Sequence, residues 1–162
     1  MHKIYVTRDK KDIGSPDAYK LIRKAARAAL SAEGVDRPCM INVLLTDDNA
    51  IREINREYRN VDSATDVLSF PQNEFEPGNI DWEDAQVDMD TGLTLLGDMV
   101  ISLPRARAQA KEFGHSEDRE IAYLTVHSVL HLLGYDHVDE GENKKLMRSR
   151  EEYIMNLIGI SR

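Results

Sequence analysis

Three of the chain's five histidines fall within HSVLHLLGYDH, residues 127–137. His127 and His131 are four residues apart, so on a helix they stand one turn apart on one face. Their neighbours Val129, Leu130, Leu132 and Leu133 are apolar, which predicts a helix buried nearly all round. Gly134 permits the left-handed turn that ends a helix, and the reversal lets His137 swing back towards the other two. A lone His-x-x-x-His is a weak sign of metal. A third histidine beyond a helix-ending glycine is a stronger one. Three imidazoles on a buried apolar surface would each need a partner, and one ion satisfies all three. Three neutral ligands leave the ion its full charge and an open fourth position, the arrangement of a catalytic rather than a closed structural site. Zinc, one ion per chain, is the expected occupant, although nickel, copper and iron also accept imidazole.

The spacing matches the first part of the metzincin protease signature, H-E-x-x-H-x-x-G-x-x-H, but Ser128 stands where that signature has its glutamate. A serine cannot act as the general base of peptide hydrolysis. Asp136 sits beside His137 and either supports the ligands from outside or is a solvated turn residue. A second constellation precedes this one. Arg52, Arg56 and Arg59 recur at spacings of four and three, followed by NVDSATDVLSFP. By spacing alone such a row reads first as a solvated helix face; the other reading is guanidinium groups held near the metal to grip phosphate.

The elements that must carry these residues are legible in outline. Strands are expected at 2–7, 39–46, 65–71 and 95–103 from β-branched or apolar runs. Ser15-Pro16-Asp17 starts a helix that Gly34 closes, and Asp47 and Asp48 can cap another at about 48–59, with Ile51, Ile54 and Tyr58 on one face. Pro104 opens a third running to Phe113-Gly114, Ser116 a fourth over about 117–133, and a last helix at about 140–157 carries Leu146, Tyr153, Ile154 and Leu157. The mixture, with helices gathered at the end, predicts one α+β domain over 1–162: a small mixed sheet of about four strands packed with about five helices.

Composition bounds the partners. The net charge is −8, which by itself disfavours nucleic acid. Residues 72–98, however, hold eight carboxylates and no Lys or Arg, so the remainder is neutral and a basic groove is still allowed. Pro-Gly and Asp-Thr-Gly within that acidic stretch predict a loop with a short hairpin. The single cysteine, Cys39, cannot form an internal disulfide, which favours a reducing compartment. No apolar run reads as a signal peptide or membrane span. A cytoplasmic protein with no membrane partner is expected.

Three blocks in order, NREYRNVDSATDVLSFP (55–71), LLGDMVIS (95–102) and HSVLHLLGYDH, give the chain a resemblance to the YbeY-type rRNA maturation endoribonucleases. It covers most of the chain. The resemblance implies a single zinc-dependent, zincin-like domain that cleaves single-stranded RNA, matures ribosomal RNA (notably the small-subunit three-prime end) and serves ribosome quality control. By position, it implies His127, His131 and His137 as zinc ligands and Arg59 as the arginine tied to activity. Asp62, Thr65, Asp66, Ser69 and Phe70 match the surrounding motif, and Asp98 matches the acidic residue of the middle block and is expected near the ligands. Position 128 is commonly glycine in that family, and the acidic 72–94 stretch is of a variable sort.

A metal can supply its own nucleophile, so Ser128 is tolerable if the substrate is phosphate and not peptide. Substrate binding is expected from backbone-phosphate contacts by Arg56, Arg59, Arg105, Arg107 and Lys111. Tyr58, Phe70 and Tyr135 read as packing residues rather than stacking platforms. Single-stranded RNA, ribosomal RNA, and the ribosome or its proteins are the expected partners, with no DNA. The competing readings are a zinc metalloprotease-like hydrolase and a ribosome-associated factor whose metal is structural, with a ligand such as Asp136 closing the site.

Overall fold

The computed structural model describes residues 2–136 and 141–160. Strand β1 (Lys3–Arg8) leads into helix α1 (Pro16–Ala32), then β2 (Cys39–Thr46), α2 (Asp48–Arg59), β3 (Val67–Pro71), β4 (Thr94–Ser102), α3 (Leu103–Phe113), α4 (Glu117–Leu132) and α5 (Glu142–Ile158). The sheet order is β1-β2-β4-β3. β1, β2 and β4 run parallel, and β3 lies antiparallel at the edge. The expected α+β domain, with a mixed four-stranded sheet and five helices, is what forms.

Side-chain alternation divides the core. Ile41, Val43, Leu45, Met99 and Ile101 point to one face, where α1 and α4 cover them in the main core. Leu68 and Val100 point to the other, where Ile51 and Ile54 of α2 form a smaller cluster. Capping follows the local sequence: Ser15, Asp47, Ser102 and Ser116 each accept a bond from the first turn of the following helix. The acidic stretch folds as a loop with isolated bridges Glu76–Asn79 and Val87–Thr94 and one short 3-10 turn at Trp82–Asp84. Cys39 is fully buried, and burial pushes its thiol up to about 12.

Two expectations about apolar faces fail. Tyr58 is 68% exposed, because only the Ile51 and Ile54 side of α2 reaches a core. On α5, Leu146, Tyr153 and Leu157 are exposed, while Met147, Ile154, Met155 and Ile158 face inward.

Gly97 ties β4 to β3 and α4. Its φ is +140°, and a Cβ there would stand 2.3 Å from the Phe70 carbonyl oxygen and 3.0 Å from Leu132. The Gly97→Ala variant should therefore lose on the order of 2–4 kcal/mol, read as a melting midpoint lower by roughly 5–15 °C. An unchanged midpoint would mean that the strand pair relaxes freely around the methyl group.

Candidate active site

A cavity of about 780 Å³ opens where the sheet ends at β3. Its walls are the end of α2 (Arg59), the entry and inner face of β3 (Thr65 to Ser69), the start of the acidic loop (Asn73 to Phe75) and the end of α4 with its following turn (His127, His131, Gly134 to Asp136). Each wall has a local cause. α2 ends at Asn60, whose left-handed backbone (φ 58°) turns the chain just after Arg59. Asn55 donates to the Ser63 carbonyl and Asp62 accepts from Arg52 at 2.8 Å, which together fold the 60–66 connection back towards β3. Gly134 has φ +102°, and a Cβ there would meet the Phe75 carbonyl at 2.2 Å, so only glycine lets the acidic loop close this wall.

His127 and His131 sit one turn apart on α4, as their spacing requires. Their outer nitrogens are both engaged. His127 Nδ1 lies 3.0 Å from Glu151 Oε2, and His131 Nδ1 lies 2.9 Å from the Tyr135 carbonyl. Both partners accept, so each Nδ1 carries the proton and each Nε2 presents its lone pair. The two Nε2 atoms lie 3.2 Å apart. Two neutral acceptors gain nothing from such an approach, but two ligands about 2.05 Å from one tetrahedral ion stand roughly 3.3 Å apart. The pair therefore fits a shared zinc ion, and the bonds to Glu151 and Tyr135 are the kind that orient metal-bound imidazoles. His137 lies outside the described residues. Among those described, no group of three or more His, Cys, Asp or Glu side chains is gathered as a metal cluster.

Glu151, which the sequence motifs do not include, joins this site through His127. It is 6% exposed on α5 and also accepts from Tyr123 Oη at 3.4 Å. Burial, with Glu151 beside it, pushes the Tyr123 phenol well above its ordinary value, so it remains a donor. A signal was present: Met147, Glu151, Ile154 and Ile158 recur at helical spacing, a carboxylate in the middle of an apolar stripe. Tyr135 is buried as expected, its hydroxyl donating to Glu33. Its pKa is pushed up to about 12, by burial first and Glu33 second.

The structure sorts the expected cations. Arg59 lines the cavity and has no acidic partner among the described residues. Arg56 turns to Glu53 at 2.7 Å, away from it. Arg105 grips Asp48 at 3.2 Å with help from Ser102, at the opposite end of α2. That is roughly 16 Å of helix from Arg59. Arg107 pairs with Glu117 at 3.5 Å, at the far end of α4 from the histidines. Neither Arg105 nor Arg107 reaches this cavity, because each clamps the start of a helix. Asp136 does line it. Asp98 does not: it pairs in register with Phe70 on the α2 face of the sheet, where Asn42 donates to it at 3.1 Å. The sheet separates it from the histidines.

Ser128 is fully buried, and its hydroxyl meets that of Ser69 at 2.6 Å. The position that bears a base in the protease signature here ties α4 to the edge strand.

A family model described as Endoribonuclease YbeY matches residues 3–159. A protein named Endoribonuclease YbeY from Clostridium botulinum (strain 657 / Type Ba4) is 48% identical over 147 residues, 87% of this chain and 88% of that one. One of the same name from Desulforamulus reducens is 48% identical over 145 residues, 88% of each. Among solved structures, the solution structure of TM1509 from Thermotoga maritima superposes with a TM-score of 0.58 at 25% identity, covering 96% of this chain and 87% of that one. With a match of this breadth, the chain belongs to the endoribonuclease YbeY family.

Proposed function

We infer that this endoribonuclease cuts single-stranded RNA during ribosomal RNA maturation, at or near the small-subunit three-prime end, and takes part in ribosome quality control. Its one domain spans 1–162, works in the cytoplasm, and is guided by the ribosome or a ribosomal protein. The observation that carries the reading is the convergence of His127 Nε2 and His131 Nε2, 3.2 Å apart, in one cavity with Arg59. His127, His131 and His137 hold zinc. When bound, the ion supplies a Lewis acid and an activated water at neutral pH. Arg59 binds the phosphodiester bidentately and stabilises charge as it builds on the phosphoryl oxygens. Glu151 and the Tyr135 carbonyl keep both imidazoles in the tautomer that presents Nε2.

One Lys or Arg among the described residues of a cavity that Asp66, Glu74 and Asp136 also line gives little grip on a long anionic strand. Intrinsic sequence preference should therefore be weak, with targeting left to a partner. No described helix is long and apolar enough to cross a membrane. Purified protein given a single-stranded ribosomal RNA fragment should cut it at many positions, and a chelator should stop the cutting. Cleavage that persists at full rate after zinc has been stripped would remove the metal from the reading.

A further inference from the structure

The Ser69–Ser128 hydroxyl pair has a direction. Ser128 is fully buried, and among the described residues Ser69 Oγ is its one side-chain partner. Thr125, three residues earlier on the same helix, donates to the Ile121 carbonyl at 2.8 Å instead. A buried hydroxyl proton without an acceptor is costly, so Ser128 donates and Ser69 Oγ accepts. The Ser69 proton then points elsewhere. Ser69 is half-buried and lines the cavity, so that direction is into it.

The main chain adds a second donor. The Ser102 N–H bonds to the Asp66 carbonyl and the Gln72 N–H to the Leu96 carbonyl. With an unbroken register over Val67–Pro71, residues 66, 68, 70 and 72 form the ladder with β4. The N–H of Ser69 therefore faces the open edge of β3, beside the same cavity. Neighbouring Val67 N–H is already taken by Asp66 Oδ1 at 2.7 Å, and Pro71 has none.

We propose that Ser69 is a further catalytic residue: its N–H and its Oγ–H, the latter aimed by Ser128, form a donor pair for a non-bridging phosphoryl oxygen of the RNA held by Arg59. Ser128 is then a positioning residue. This rests on the endoribonuclease reading of the cavity. It also gives position 128 a task that glutamate could not perform there, since a carboxylate would not donate to Ser69.

The test uses zinc-loaded protein in single-turnover cleavage of a single-stranded RNA, and of the same RNA with one stereodefined phosphorothioate at a mapped cut. Ser69→Ala should slow cleavage about 10–100-fold at unchanged zinc content and melting temperature. Ser69→Thr should recover most of the rate, and Ser128→Ala should lose less than Ser69→Ala. On the diastereomer whose sulfur replaces the contacted oxygen, wild type should slow and Ser69→Ala should cost little more. A full wild-type rate in Ser69→Ala, with Arg59→Glu inactive, would overturn the donor pair and leave the cavity's assignment standing. Equal losses on native RNA and both diastereomers would make Ser69 structural. Intact RNA in the presence of zinc-loaded wild type would overturn both.

Discussion

Arg59→Glu is expected to reduce RNA cleavage by at least about 10³-fold while zinc stays bound in stoichiometric amount. Arg59 is the one Lys or Arg among the described residues lining the cavity, which Asp66, Glu74 and Asp136 also line. Charge reversal leaves that wall wholly acidic, so it repels the phosphate that it should attract. The fold should tolerate the change, because Arg59 is exposed and has no ion pair to lose among the described residues. The remaining cost is a carboxylate in the last turn of α2, where the helix dipole favours a cation, about 0.3–1 kcal/mol. Cleavage assays beside zinc quantification and a melting curve separate the cases. Loss of zinc together with activity would show that the arginine shapes the metal site and does not bind phosphate.

Glu151→Ala should weaken zinc binding about 10–100-fold without touching the ligands themselves. Glu151 accepts from His127 Nδ1 at 3.0 Å and from Tyr123 Oη at 3.4 Å, and alanine leaves both donors without that acceptor. The metal-free protein should also lose about 1–3 kcal/mol of stability. Competition titration against a chromophoric chelator measures the first effect, and urea unfolding of the stripped protein the second. Glu151→Gln should fall between, since its amide oxygen still accepts from the imidazole but brings no charge. Zinc affinity unchanged in Glu151→Ala would mean that the His127 ring is held by packing alone.

What could be read from the sequence was the part encoded at short range. The i, i+4 histidines, the caps at Ser15, Asp47 and Ser116, and the strand runs all act within a few residues, and these elements formed at nearly the expected places. The placement of Arg105 and Arg107 outside the cavity has a long-range cause. Their type and spacing suit phosphate, but Asp48 and Glu117, distant in sequence for Arg105, already hold them. Asp98 lies on the other sheet face for a reason of parity, because a motif match says nothing of which sheet face a residue takes. Glu151 lies 20 residues past His131 on another helix, so its partnership exists only once α5 docks on α4. Tyr58 shows the limit of an amphipathic pattern. Its ring meets Phe70 edge-on at 5.7 Å, yet it remains 68% exposed, because the cluster under α2 closes over Ile51 and Ile54 only.

β3 serves two compartments at once, Ser69 on the histidine side and Phe70 on the Asp98 side. The chain's tolerance of length variation should therefore be very uneven. Removing a single residue between Thr65 and Pro71 would exchange the two sides, sending an aromatic ring towards Ser128 and a hydroxyl into the apolar cluster under α2. Residues 76–92 lie outside the ladder, so a change of length there leaves the two sides of β3 as they are and acts only on the loop wall, where the Gln86 N–H bonds to Asn73 and Trp82 packs on Phe75. A change of length in the acidic loop costs local contacts, whereas the seven residues just before it are held to a fixed reading frame of side chains.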